Sequence, residues 1–418
     1  MVSLRGITIF LNHKLIRINK MSTDKPLKGM RVIEMGQLIA GPFTGSILGY
    51  FGAEIIKIEP ITGDPVRYWR LTENNTSYWW HSVSRNKKSI TLNLKSEEGI
   101  QIAKDLILKS DVLIENFKPG TLEKWGIGPA ELEKENPGLI TARISGYGQT
   151  GPRSHLPGYA SVCEGFGGFR YVNGFPDRPP VRPNLSIGDT LAGLHAAMGV
   201  LLAYIQREKD PNNKGQVVDT AIYESVFNLM EAVVPEYSGC GAIREPSGST
   251  ITGIVPTNTY VTSDDKHVII GGNGDSIFKR LMKAIDQPGM AADERFEDNI
   301  GRVEHEKEID AAIEKWTSEH TSEEVLSIMD EVSVPAGPIY SVEDMMKDEH
   351  YIARGMFEEV EANGRPLKIP AMLPILTETP GGTDWSGPEL SQHTNEILSE
   401  LLGKNAEEIK KLNEGGVI

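Results

Sequence analysis

At 418 residues the chain is too long for one ordinary compact core, so two domains are expected. A formal net charge of -15 would repel nucleic acid and anionic membranes, so any polyanionic ligand must be met by a local basic patch. Two cysteines, Cys163 and Cys240, provide neither a disulfide framework nor a thiolate metal site within one subunit, and no run of about 18 apolar residues is legible as a membrane span, which reads as a soluble protein of a reducing compartment.

The first twenty residues carry Arg5, Lys14, Arg17 and Lys20 with no acid. They read either as a mitochondrial presequence, implying the matrix, or as an upstream extension of a protein that begins at Met21, implying the cytoplasm. From Met30 apolar runs alternate with helical patterns: a strand over Met30 to Glu34, a helix over Pro42 to Phe51 and a strand over Ala53 to Glu59. A strand over Ser89 to Leu94, an amphipathic helix over Ser96 to Leu108 and strands over Asp111 to Phe117 and Leu139 to Ser145 follow. Such alternation predicts an α/β fold with a parallel sheet. A Gly/Pro-rich stretch over 146–158 precedes a helix over Asp189 to Arg207, and a second helical pattern spans Val217 to Val234. Strands near Asn258 to Thr262 and His267 to Gly271 mark a smaller unit, and the prolines and glycine of 334–339 read as an extended linker.

Neither a phosphate-binding P-loop, nor the dinucleotide fingerprint, nor a His-Glu-x-x-His zinc helix occurs, so ATP and nicotinamide chemistry lose ground. The candidate cationic patch is Arg85, Lys87 and Lys88 before one strand and Lys118 after another, with Lys124 and Arg143 nearby; solvated surface charge is the alternative.

Gly41-Pro42, Gly52-Ala53-Glu54-Ile55-Ile56-Lys57-Ile58-Glu59, Gly63-Asp64, Arg85-Asn86-Lys87-Lys88-Ser89-Ile90, Glu115-Asn116-Phe117, Gly146-Tyr147-Gly148, Gly188-Asp189, Pro335-Ala336-Gly337-Pro338 and Gln392-His393-Thr394 together resemble the family-III CoA transferases, from Leu27 to Val417. The resemblance implies a large Rossmann-like domain beginning at 27–210, a smaller α+β domain at 225–330, a linker and C-terminal part at 331–418 returning to the large domain, and an interlocked homodimer; residues 1–26 are left as an extension. It implies an acyl-CoA and a carboxylic acid as substrates, coenzyme A entering as a thioester, and no permanently bound cofactor, metal, nucleic acid or membrane partner.

Formyl-CoA transferases, which this chain resembles, align on the run Gly174-Phe175-Pro176-Asp177-Arg178-Pro179-Pro180, which makes Asp177 the expected nucleophile. Contacts to CoA are implied for Ile39, Ala40, Leu92, Asn93, Leu94, Lys95, Asn116, Phe117, Lys118 and Lys124, and a loop over the site for Ser247, Gly248, Ser249 and Thr250. Where relatives carry an aspartate after the tyrosine this chain has Ala160, so Glu164 is the reserve carboxylate. The similar α-methylacyl-CoA racemases pair a histidine at the position of Tyr159 with the aspartate corresponding to Asp189; tyrosine, with a reference pKa of about 10, breaks that pair. A racemase-like isomerase and a non-catalytic CoA-binding homologue are the rival readings.

Overall fold

The computed structural model describes residues 24–418, so the expectations for residues 1–20 and Met21 lie outside it. Six strands, β1 (Arg31–Glu34), β2 (Glu54–Glu59), β3 (Lys87–Thr91), β4 (Val112–Glu115), β5 (Ile140–Ser145) and β6 (Val217–Ala221), form one sheet in the order β3-β2-β1-β4-β5-β6. Every pairing is parallel. The continuous apolar runs explain this: Val32, Ile33, Ile55, Ile56, Leu113 and Ile114 are all buried, which a strand needs when both faces of its sheet are covered.

One face packs on α1 (Ala40–Tyr50) and α4 (Ile187–Lys209), through Leu48, Ala192, Ala196 and Val200. The other packs on α2 (Glu97–Ile107) and on two C-terminal helices, 394–402 and 406–414, through Ile102, Leu106, Leu398 and Leu412. The chain between α2 and α4 includes α3 (Ala160–Phe166). A separate core within 255–334, including Tyr260, Phe278, Ile313 and Met329, encloses an antiparallel three-stranded sheet of β7 (Thr257–Val261), β8 (His267–Gly271) and β9 (Ala336–Pro338). The architecture is thus mixed α/β, a large parallel sheet with smaller antiparallel ones, as the resemblance implied.

Three local readings are corrected. Val217–Ala221 is the sixth strand, paired with β5 through Thr141 and Ser145, and the helix starts only at Ile222. Residues 336–338, read as linker, are held by backbone pairing to β8. Finally, α4 is long and apolar enough, by length and composition, to cross a membrane. Here its small residues pack closely on α1: a Cβ on Gly193 would lie 2.8 Å from the Ala40 carbonyl oxygen.

Between β1 and β4 the strand order reverses, so the loops leaving their C-terminal ends splay apart and open a crevice. That crevice positions the site.

Candidate active site

Beneath the crevice lies a layer of buried charge. The Lys57 Nζ is 3.0 Å from Glu34 Oε1 and 2.9 Å from Asp64 Oδ2, and donates to the Gly36 carbonyl at 2.8 Å. Lys87 donates to Glu34 Oε2 at 2.8 Å and to the Pro42 carbonyl at 2.6 Å. Asp64 accepts from the Leu38 N–H at 3.1 Å. Burial opposes both lysine charges; for Lys57 the carboxylates of Asp64 and Glu34 outweigh it and raise the pKa, whereas Lys87, with Glu34 alone in contact and Lys57 repelling it, is pushed down to about 8. These bonds fix the loop that follows β1.

The facing loop is tied to it by one side chain. Asn116 accepts from the Gln37 N–H and donates to the Gln37 carbonyl, both at 2.8 Å. Gly36 and Gly41 make room for that amide, since a Cβ on Gly36 would stand 3.2 Å from Asn116 Oδ1.

Two adjoining cavities follow. The first, 340 Å³, is lined by Ile39, Ala40, Asn116, Phe117, Lys118, Tyr159 and Asp189, among others. The second, 650 Å³, shares Gln37 and Phe117 with the first and is bounded by Leu92, Asn93, Leu94, Lys95 and Trp125. In it Phe117 and Trp125 stand edge to face with centroids 5.2 Å apart, a surface suited to a planar ring. The C-terminal end of the chain braces its rim, the Asn93 N–H donating to the Val417 carbonyl at 2.8 Å. The structure therefore gathers nine of the ten residues expected to touch CoA along one groove; Lys124 is exposed beside it and lines neither cavity.

The candidate cationic patch divides. Arg85 is buried and bonded to the Pro370 carbonyl, Lys87 is bound to Glu34, and Arg143 is 2.7 Å from both Glu115 and Glu123. Lys88 joins Glu54 and Glu396. Those charges hold the fold together. Lys118 and Lys124 of the patch, like Lys95 in the groove, are exposed, and among the described residues no carboxylate pairs with them, so they are available to phosphates.

The carboxylates separate as well. Asp177 sits on a proline-rich loop with its side chain 77% exposed and only Arg178, 3.9 Å away, beside it. It lines neither cavity of the groove. The segment 247–250 touches this same loop: the Gly248 N–H donates to the Gly174 carbonyl at 2.8 Å, and a Cβ on Gly248 would meet the Phe175 ring at 3.0 Å. Within one chain these two expected site elements meet each other and stay outside the groove.

Asp189, in the first turn of α4, lines the groove instead. Burial, and then the nearby Glu164 carboxylate, push its pKa up to about 6, against the pull of Arg182. Glu164, on α3, is fully buried; its Oε1 accepts from the Gly188 N–H at 3.1 Å and its Oε2 lies 3.5 Å from Arg182 Nε without a hydrogen bond. Gly188 allows this approach, because a Cβ there would come within 3.0 Å of Ile222 and 3.3 Å of Glu164. From the sequence Asp189 was expected as part of the Gly188-Asp189 family segment and as half of a broken racemase pair, not as a nucleophile; its place at the start of a long helix was the signal that pointed to it. Tyr159 lies on the groove but is largely exposed, and His155 is exposed and outside it. Among the described residues no group of three or more His, Cys, Asp and Glu side chains could hold a metal ion.

A doubly wound fold, a switch-point groove with an aromatic pocket and lysines at its edge, and a half-buried carboxylate fit an enzyme that binds a phosphorylated ligand carrying a planar ring. The family model for CoA-transferase family III matches residues 27–394, and the chain belongs to that family. It is 46% identical over 94% of its length, and 98% of the relative's, to the succinyl-CoA–D-citramalate CoA-transferase of Chloroflexus aurantiacus. Against the succinyl-CoA:glutarate CoA-transferase of Mus musculus it is 32% identical over 94% of this chain and 90% of the relative. A crystal structure of a CAIB/BAIF family protein from Brucella suis superposes with a TM-score of 0.79 at 32% identity, covering 90% of this chain and all of that one. The protein is a CoA-transferase, acting on CoA thioesters.

Proposed function

We propose that the protein moves CoA from an acyl-CoA donor to a free dicarboxylic acid, with Asp189 as the side chain that carries first the acyl group and then CoA. The observation behind this is that Asp189 supplies the one carboxylate among the residues lining the groove. Asp177, the aspartate expected from the sequence, stands in solvent with no wall around it. Relatives named for succinyl-CoA with citramalate, malate and glutarate support a dicarboxylic acceptor.

In this scheme a carboxylate oxygen of Asp189 attacks the donor thioester carbonyl, and the C–S bond breaks to release CoA thiolate and leave a mixed anhydride. The thiolate attacks the aspartyl carbonyl, freeing the donor acid and forming an aspartyl-CoA thioester. The acceptor carboxylate repeats both steps in reverse and restores Asp189. One thioester is consumed and one made, so no ATP, redox partner or water enters. A carboxylate with a raised pKa is the more basic nucleophile, and partial loss of solvent raises its ground-state energy relative to a neutral anhydride.

Mixing the protein with succinyl-CoA and quenching should leave a mass increment on the chain. Fragmentation should locate it within 183–207. Location within 169–182 would return the role to Asp177, and no increment at all would sink the covalent scheme.

A homodimer belongs to the same reading. An anhydride must be kept from water, yet the groove is open beside exposed Tyr159, Val162 and Phe166, and α4 presents Leu194, Met198, Leu202 and Ile205 outward, each more than half exposed. A second copy covering these surfaces, in the interlocked manner the resemblance implies, would close the chamber. Sedimentation equilibrium should give twice the chain mass, and the Met198→Glu, Leu202→Glu pair should lower it together with activity. An active wild-type monomer would rule the arrangement out.

A further inference from the structure

A further cavity of 1050 Å³ shares no lining residue with the groove and borders the same first turn of α4, through Ser186, Ile187 and Thr190 on either side of Asp189 in the chain. Its walls come from 70–79 and from 182–191. Leu71, Trp79, Leu185 and Leu191 give it an apolar body, and its only ionisable side chains other than Tyr78 are Arg70 and Arg182. In a chain carrying 58 acidic and 43 basic residues, a wall with two arginines and no carboxylate is selective for an anion.

The two arginines are held differently. Arg182 Nε lies 3.5 Å from the buried Glu164 Oε2, a charge contact without a hydrogen bond, and among the described residues its guanidinium makes no hydrogen bond at all. A guanidinium drawn to one carboxylate by charge, with all its donors free, offers them as a planar fork that matches a second carboxylate. Arg70 is exposed, makes no ion pair among the described residues, and holds a backbone φ of 61°, a left-handed conformation unusual for a long side chain. Arg182 is also close enough to Asp189 to act on its charge.

We infer that this cavity is the acid-side subsite, in which Arg70 and Arg182 bind the far carboxylate of a dicarboxylic acid whose other carboxyl group reaches Asp189. The inference rests on the reading of Asp189 given above for the orientation of the acid, but the grip of two arginines on the far carboxylate is a binding statement that stands or falls by itself. Glu164 then has a defined part: it is a positioning residue that orients Arg182 and, through the Gly188 N–H, the turn that bears Asp189.

The test compares glutarate with pentanoate, acids of equal chain length that differ in the second carboxylate, by titration calorimetry on the full chain saturated with CoA. The wild type should bind glutarate at least about 10-fold more tightly than pentanoate, the lower end of what charge-assisted hydrogen bonds give. Arg70→Gln, which breaks no internal bond, should bring the two acids to within about 3-fold of each other while leaving CoA affinity unchanged. Arg182→Gln is paired with Glu164→Gln so that no buried charge is left alone, and should do the same. A wild type that binds both acids equally or neither, a preference that survives in both variants, or a loss of CoA affinity in Arg70→Gln, which would assign the cavity to a phosphate of CoA, would each overturn it. An adduct found away from Asp189 would refute the mechanism and leave this binding result untouched.

Discussion

Replacing Asp189 by alanine is expected to reduce kcat for CoA transfer at least about 1000-fold, because loss of a covalent carrier leaves only binding and positioning to accelerate the reaction. Asp177→Ala is expected to stay within about 3-fold of wild type, as an exposed loop side chain whose nearest charge is Arg178 at 3.9 Å should. The pair is decisive because both aspartates lie in one short stretch of chain and differ chiefly in surroundings. Wild-type activity should also carry the mark of the nucleophile. Only the ionised carboxylate attacks, and burial with Glu164 nearby raises the Asp189 pKa to about 6, so kcat/KM should climb with pH up to about 6 and level off above it. An acid limb centred near 4 would point to a solvent-exposed carboxylate. Reversal of the two mutant results would restore Asp177 and exclude Asp189.

What the sequence disclosed depended on how local the cause was. Strands such as Ile55 to Ile58 and Val112 to Ile114 were legible because burial on both faces writes a continuous apolar run, and α2 because its apolar residues recur at helical spacing. The strand over Val217–Ala221 was missed because it runs straight into the helix Ile222–Phe227, so no turn residue separates two periods. The charge patch failed for a different reason. Sequence shows Arg85, Lys87 and Arg143 as cations but not their partners, and Glu358 and Glu34 reach them from 273 and 53 residues away. The two aspartates show the same limit: a motif fixes the neighbourhood of a carboxylate, whereas its burial depends on α3, on Ile222 and on the packing allowed by Gly188.

The buried lysine under the groove gives the largest effect on stability. Lys57→Met keeps the length of the side chain and removes its charge. It leaves Asp64 without its ammonium partner, Glu34 with Lys87 as its one remaining ammonium, and the Gly36 carbonyl without its donor, all in the interior. Removing one member of a buried ion pair costs about 3 to 5 kcal/mol, because the remaining charge has no solvent to turn to. Lys88→Met is the control: its partners Glu54 and Glu396 are partly exposed, and such pairs contribute about 1 kcal/mol or less. Equilibrium denaturation in urea should therefore separate the two lysines, neighbours on adjacent strands, by several kcal/mol. The same substitution should weaken CoA binding even where the chain remains folded, since Lys57 holds the Gly36 carbonyl and, through Asp64, the Leu38 N–H, and these fix the loop that presents Ile39 and Ala40. If Lys57→Met cost no more than Lys88→Met, the charge layer would not be what shapes the floor of the groove, and the apolar packing of β1 and β2 would have to do so alone.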